Sequence, residues 1–153
     1  MKLLRVQKDH YIFRLGRQEK ELFELMLRLY PVIPSAHEPL KKTPGTPDQS
    51  QRLLDEALAE QRKENKKQVE ALLADKARYH ESDKGIELTL TAGEIEWVLQ
   101  VLNDVRVGNW LLLGSPEEHP RLLPDAETSP RVAAMEISGV FQMILLEAIE
   151  HSR

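Results

Sequence analysis

The chain has 153 residues, 41% hydrophobic and 30% charged, enough to bury a real core in one domain over 1–153 and too apolar for wholesale disorder. It contains no cysteine, which excludes disulfide scaffolds, thiolate metal sites and cysteine nucleophiles and fits a reducing, cytoplasmic compartment. The net charge of −4 is uneven, with 16 basic against 12 acidic residues in 1–80 and 5 against 13 in 81–153; an acidic second half repels phosphate backbones, so no nucleic-acid partner is expected.

Residues 1–7 lack the apolar stretch of a signal peptide. Residues 2–15 alternate as a β-hairpin: Leu4 and Val6 against Arg5 and Gln7, then Tyr11, Phe13 and Leu15 against Ile12 and Arg14, with a turn at Lys8-Asp9-His10. Gly16 ends it. A first helix follows over 17–30, with Leu22, Leu25, Met26 and Leu29 as its apolar stripe and Phe23 and Leu27 widening it. Pro31 stops this helix, because proline restricts the residue before it and has no amide hydrogen.

Residues 31–47 hold five of the nine prolines and read as a connector. Thr46, Pro47 and Gln49 then give a helix start. The second helix is expected over 47–79 as one long charged rod, protruding into solvent: residues 61–68 have no apolar side chain, yet no Gly or Pro interrupts them. Residues 86–90 alternate as a short strand that adds to the hairpin as a third.

Thr91 and Glu94 have capping-box spacing and open a third helix that ends near Leu113, with Gly114 after it. Gly108 inside it marks a kink or a close helix contact. After an acidic, proline-containing loop, Ser129-Pro130 opens a last helix to about Glu150, apolar around most of its circumference. Such a helix is covered on all sides, either as the central core helix or by lending a face to a second subunit. Its uninterrupted apolar runs are far shorter than the ~18 residues that span a bilayer, so no membrane association is expected. The fold class is thus mainly α with α+β character: a four-helix core and a small antiparallel sheet from the N-terminal hairpin and a third strand.

Chemistry is sparse. The five histidines are scattered; Glu147 and His151 have i, i+4 spacing but no further ligand beside them, so no metal is expected. There is no nucleophile elbow, phosphate loop or dinucleotide fingerprint, hence no catalytic residue and no cofactor to name. The informative segment is Asn103, Asp104, Arg106 and Asn109. At about 100° per residue, Arg106 and Asn109 fall within the stripe of Ile95, Val98, Leu99, Leu102 and Val105, and Asp104 points away. An inward arginine requires an acid, and Glu136 and Glu147 of the last helix are its candidate partners. Two readings follow: an ion pair that orients two helices, or an anion or ligand site around Arg106 and Asn109. Trp97, Met135, Met143 and Leu146 are the candidate interface residues, for a protein partner or a homodimer.

The hairpin and helix at 2–30, Leu90-Thr91-Ala92-Gly93-Glu94 leading through Trp97 to Leu102-Asn103-Asp104-Val105-Arg106, and the last helix with Phe141-Gln142 together resemble an uncharacterised bacterial family, number twenty-seventeen in the domain-of-unknown-function series. The connector and the charged second helix are outside the match. The resemblance implies genes that often neighbour that of the Clp-protease adaptor ClpS, and so a role near regulated proteolysis. It carries over no catalytic residues; Asn103, Asp104 and Arg106 are simply the matching positions. A non-enzymatic adaptor or small regulatory subunit is therefore the leading expectation. A ligand-binding protein or enzyme with a helix-lined pocket at Arg106 and Asn109 is the alternative.

Overall fold

The computed structural model describes residues 1–33, 48–117 and 129–153; most of the proline-rich connector, including the Thr46 cap, and most of the acidic loop lie outside them. The fold is mainly helical with a small antiparallel sheet. In chain order it has β1 (Lys2–Gln7), β2 (His10–Leu15), α1 (Arg17–Leu29), α2 (Asp48–Ala74), a 3-10 turn (Lys76–Arg78), β3 (Tyr79–Ser82), β4 (Gly85–Thr91), α3 (Ala92–Leu112) and α4 (Ser129–His151).

The sheet has four strands in the order β1-β2-β4-β3, one more than the alternation pattern predicts. The extra strand is β3, of which only Tyr79 falls within the second helix as expected from the sequence; residues 80–82 have no expected element. That helix stops at Ala74, where Asp75 accepts a hydrogen bond from the Ala77 amide and turns the chain. Tyr79 to Ser82 then pair with β4 around a tight turn in which Gly85 has φ +128°, a conformation that favours glycine. An unpaired edge on β4 thus outweighs the local helical continuation.

Tyr11, Phe13 and Leu15 of β2 and Ile86, Leu88 and Leu90 of β4 form the buried face of the sheet. Helices cover that face, as a half-buried sheet requires. The strongest packing is α3 on α4, through Val98, Val101, Leu102 and Val105 against Ala134, Phe141, Leu145 and Ala148. Phe141 meets Phe23 of α1 edge-on, with ring centroids 5.3 Å apart at 77°. Ser138, fully buried on α4, donates to the Met26 sulfur at 3.4 Å.

The phase of α1 differs from expectation. Phe23, Met26, Leu27 and Tyr30 face the core, whereas Leu22, Leu25 and Leu29 are exposed. Apolar residues occupy more than half of this helix's circumference, so periodicity alone does not select the packed side; the large ring of Phe23 does, by filling the space against Phe141. In α2 only Asn65, Val69 and Leu72 are buried, all in its C-terminal half. Leu53, Leu54 and Leu58 in its N-terminal half are exposed.

The α3 N-terminus is held as its capping box predicts: the Thr91 hydroxyl accepts from the Glu94 amide at 3.2 Å, and the Glu94 carboxylate accepts from the Thr91 amide at 2.8 Å. Glu94 also pairs with Arg78, the last residue of the 3-10 turn before β3. Burial pushes its pKa up, but the bonds from Arg78 and Thr91 outweigh that and hold it below the ordinary carboxylate value. By length and composition α4 is apolar enough to cross a membrane, which its short uninterrupted runs conceal. Five of its residues are nevertheless buried inside this fold.

Candidate functional site

The Asn103–Asn109 segment sits where three elements meet, and it works differently from its helical-wheel reading. The buried arc of α3 comprises Ile95, Val98, Val101, Leu102, Val105, Gly108 and Asn109. Successive residues are turned by about 100°, so this arc is rotated away from Arg106 towards Val101 and Gly108. Arg106 therefore falls at one margin and Asp104 at the other.

Arg106 is exposed, a correction to its expected inward orientation. Its guanidinium donates to the Asn103 side-chain oxygen at 3.5 Å, also at the surface. Its stem lies near Gly139 of α4, where an added Cβ would stand 3.7 Å from the Arg106 Cδ. The side chain thus covers the neighbouring helix with its methylenes while its charge stays in water, which avoids a desolvation cost of several kcal/mol. Glu136 and Glu147 are exposed as well, so among the described residues Arg106 forms no buried ion pair with either of them.

Asp104 has a definite task. Its Oδ1 accepts hydrogen bonds from the backbone amides of Val32 at 2.8 Å and Ile33 at 3.4 Å. These residues follow the cis Tyr30–Pro31 bond, where the chain leaves α1. Gly108, one turn further along α3, receives Val32: an added Cβ there would lie 2.7 Å from the Val32 Cβ. Gly108 therefore marks close approach. From the other side Lys66 of α2 donates to the Tyr30 carbonyl at 3.0 Å. Burial raises the pKa of Tyr30; the nearby Asp104 charge adds to this and a bond with Asn65 opposes it. Asn65, 4% exposed in the middle of the charged stretch of α2, also accepts from Gln61 at 3.1 Å and donates to Gln100 of α3 at 3.4 Å. The exit of α1 is thus clamped between α2 and α3.

Asn109 forms a second junction. It is buried, donates to the Val105 carbonyl at 2.7 Å, and accepts from Arg131 of α4 at 3.4 Å. Beside this pair runs a groove of about 520 Å³ between α1 and α4, lined by Leu22, Leu25, Leu29, Ala133 and Ile137, with Asn109 and Arg131 at its polar end. Arg106 does not line it.

Of the candidate interface residues, Met143 and Leu146 are exposed, Met135 is half-buried, and Trp97 is half-buried against the core. With Leu22, Leu25, Leu29 and Val140, Met143 and Leu146 are between 37% and 53% exposed. Exposed apolar side chains are therefore found on α1 as well as on α4, and those of α1 line the groove while Met143 and Leu146 do not. Sequence reasoning missed Arg131, Asn65 and the α1 leucines. Asn65 carries a faint signal, since it precedes Val69 by four residues and Leu72 by seven and so shares their helical face. Among the described residues no group of three His, Asp or Glu side chains could hold a metal ion. No family model, no curated protein and no solved structure matches the chain.

Proposed function

We propose that this chain is a non-enzymatic interaction protein, an adaptor or small regulatory subunit, that docks a protein partner in the groove between α1 and α4. The observation that carries this reading is the groove itself, flanked by large apolar side chains that the fold leaves in water. An apolar groove of this kind, with Leu22, Leu25 and Leu29 left in water along it, marks an interaction face. Two adjacent antiparallel helices are suited to accept an amphipathic helix through anchors at i, i+3 and i+7 spacing. The polar clamp at Asp104 and Gly108 supports the same reading, because it fixes α1 relative to α3 and so sets the shape of the groove. The family resemblance would place such an adaptor near regulated proteolysis. A homodimer through the same face is the self-association form of this reading.

Photo-cross-linking tests it. A benzoylphenylalanine at Leu25 should capture one discrete partner in native cells, and the same group at Lys84, in the exposed β3–β4 turn, should not. Equal labelling from both positions, or none from Leu25, would count against the groove. A second reading is favoured by Arg131 and Asn109 at the polar end: a ligand with an anionic head and an apolar tail. Perturbation of the Asn109 side-chain amide resonances by decanoate, without a protein adduct at Leu25, would favour that ligand instead.

A further inference from the structure

The sheet buries one face against the helices and turns the other outward. Strand register sets Lys2, Arg14, Glu87 and His80 in one outward row across all four strands, with Arg5, Ile12 and Thr89 in the next. Lys2, Arg5 and His80 are exposed, Arg14, Glu87 and Thr89 are half-buried, and Ile12 is buried. Arg5 donates to both Glu87 oxygens, at 3.3 and 3.4 Å. Glu87 is the only carboxylate in these two rows, which hold Lys2, Arg5 and Arg14, and the Arg14 Nε is buried with no hydrogen-bond partner among the described residues. The rows therefore carry surplus positive charge on a chain whose net charge is negative.

On the inner side of β1 lies a separate groove of about 340 Å³ between this strand and α4, floored by Met1, Leu3, Ile144 and Ala148, with Lys2, Glu147 and His151 also lining it. β1 is an edge strand: among the described residues it pairs with β2 alone. A register shift between Leu3 and Arg5 leaves Leu4 without a partner and places Lys2 and Arg5 outward, Leu3 and Val6 inward. Bulges and basic side chains on an edge discourage indiscriminate pairing.

We infer that β1 accepts an extended segment of a partner protein whose residues alternate acidic and apolar. The segment adds to the sheet as a fifth strand. Its main-chain groups pair with the edge of β1, its acidic side chains face Lys2 and compete with Glu87 for Arg5, and its apolar side chains enter the groove over Leu3, Ile144 and Ala148. Strand addition works this way, with main-chain bonds supplying affinity and alternate side chains supplying selectivity. A second copy of this chain is a poor occupant, because antiparallel self-pairing of β1 brings Lys2 and Arg5 against their own like charges. A nucleic acid is a poor occupant too: the two outward rows offer no Phe, Tyr or Trp for stacking and only the single ring of His80, and Glu147 lines the groove. This site shares no residue with the groove between α1 and α4 and does not rest on it.

The test uses the full chain and fluorescent eight-residue probes. An alternating Glu-Val probe should bind, with amide shift changes confined to β1 and to 144–151. An alternating Lys-Val probe should bind at least about ten-fold more weakly. N-methylation of the Glu-Val probe at alternate residues, which removes main-chain donors, should weaken it by a similar factor. Lys2→Glu should weaken the Glu-Val probe, and Arg5→Gln, a milder change, should do so with the circular dichroism spectrum unchanged. Equal affinity for the Glu and Lys probes, indifference to N-methylation, or shift changes that map to α1 would overturn the inference.

Discussion

Asp104→Ala is expected to lower folding stability by about 2 kcal/mol, read as a shift in the denaturant midpoint at constant slope. Two backbone amides lose their acceptor in this variant, those of Val32 and Ile33. A hydrogen bond to a charged group contributes about 1.5–3 kcal/mol, and an amide left dry costs about 1–3. The site is half-buried, so water restores part of the loss and the middle of the range applies. In thermal unfolding the change corresponds to roughly 4–8 °C for a domain of this size. Asp104→Asn keeps an acceptor oxygen and should lose about half as much. Arg106→Met, two residues away but exposed, should stay within about 0.5 kcal/mol of the parent. If these two positions exchanged ranks, the clamp would be misassigned.

Phe141→Ala is expected to cost more, about 3–5 kcal/mol. Phe141 is almost fully buried and stands edge-on to Phe23. Its removal takes away the ring's transfer free energy, leaves a cavity that α1, α3 and α4 do not close, and forfeits an aromatic pair of about 0.5–1.5 kcal/mol. Phe141→Leu fills most of the space and should cost about 1–1.5 kcal/mol. Urea unfolding of both variants checks the ranking; a loss below about 1 kcal/mol for the alanine would mean that α4 is held elsewhere. Because Phe141 ties α4 to α1, the alanine variant should also loosen the groove between them, whereas Leu25→Asp, at an exposed position, should leave stability within about 0.5 kcal/mol.

Where a residue pattern had one structural meaning, it was legible. The alternation of Tyr11, Phe13 and Leu15, and of Ile86, Leu88 and Leu90, leads directly to paired strands with one buried face. The Thr91–Glu94 cap was equally readable, because its spacing serves a local geometric need, whereas Gly108 was legible only as a kink or a close helix contact and its close neighbour is Val32, beyond the end of α1. Patterns with two meanings were not. In α1 and α3 the apolar arc is wide enough to be packed in more than one phase, and tertiary neighbours decide. Val32 seats itself on Gly108 and rotates the buried arc of α3 so that Arg106 leaves it. Likewise β3 is visible only once β4 offers an edge. Asp104 could be singled out, but not its task, since its partners are backbone amides 72 and 71 residues earlier that no side-chain pattern encodes.

The proposed function makes the polar segment of α3 structural and assigns binding to the groove between α1 and α4. The most direct measurement is quantitative partner capture from native cells with Arg106→Met and Leu25→Asp side by side, each first shown to unfold at the parent's midpoint. The account predicts that the Arg106 variant retains its partner at the parent's level and the Leu25 variant loses it. Loss with the Arg106 variant and retention with the Leu25 variant would contradict it and return the function to the guanidinium.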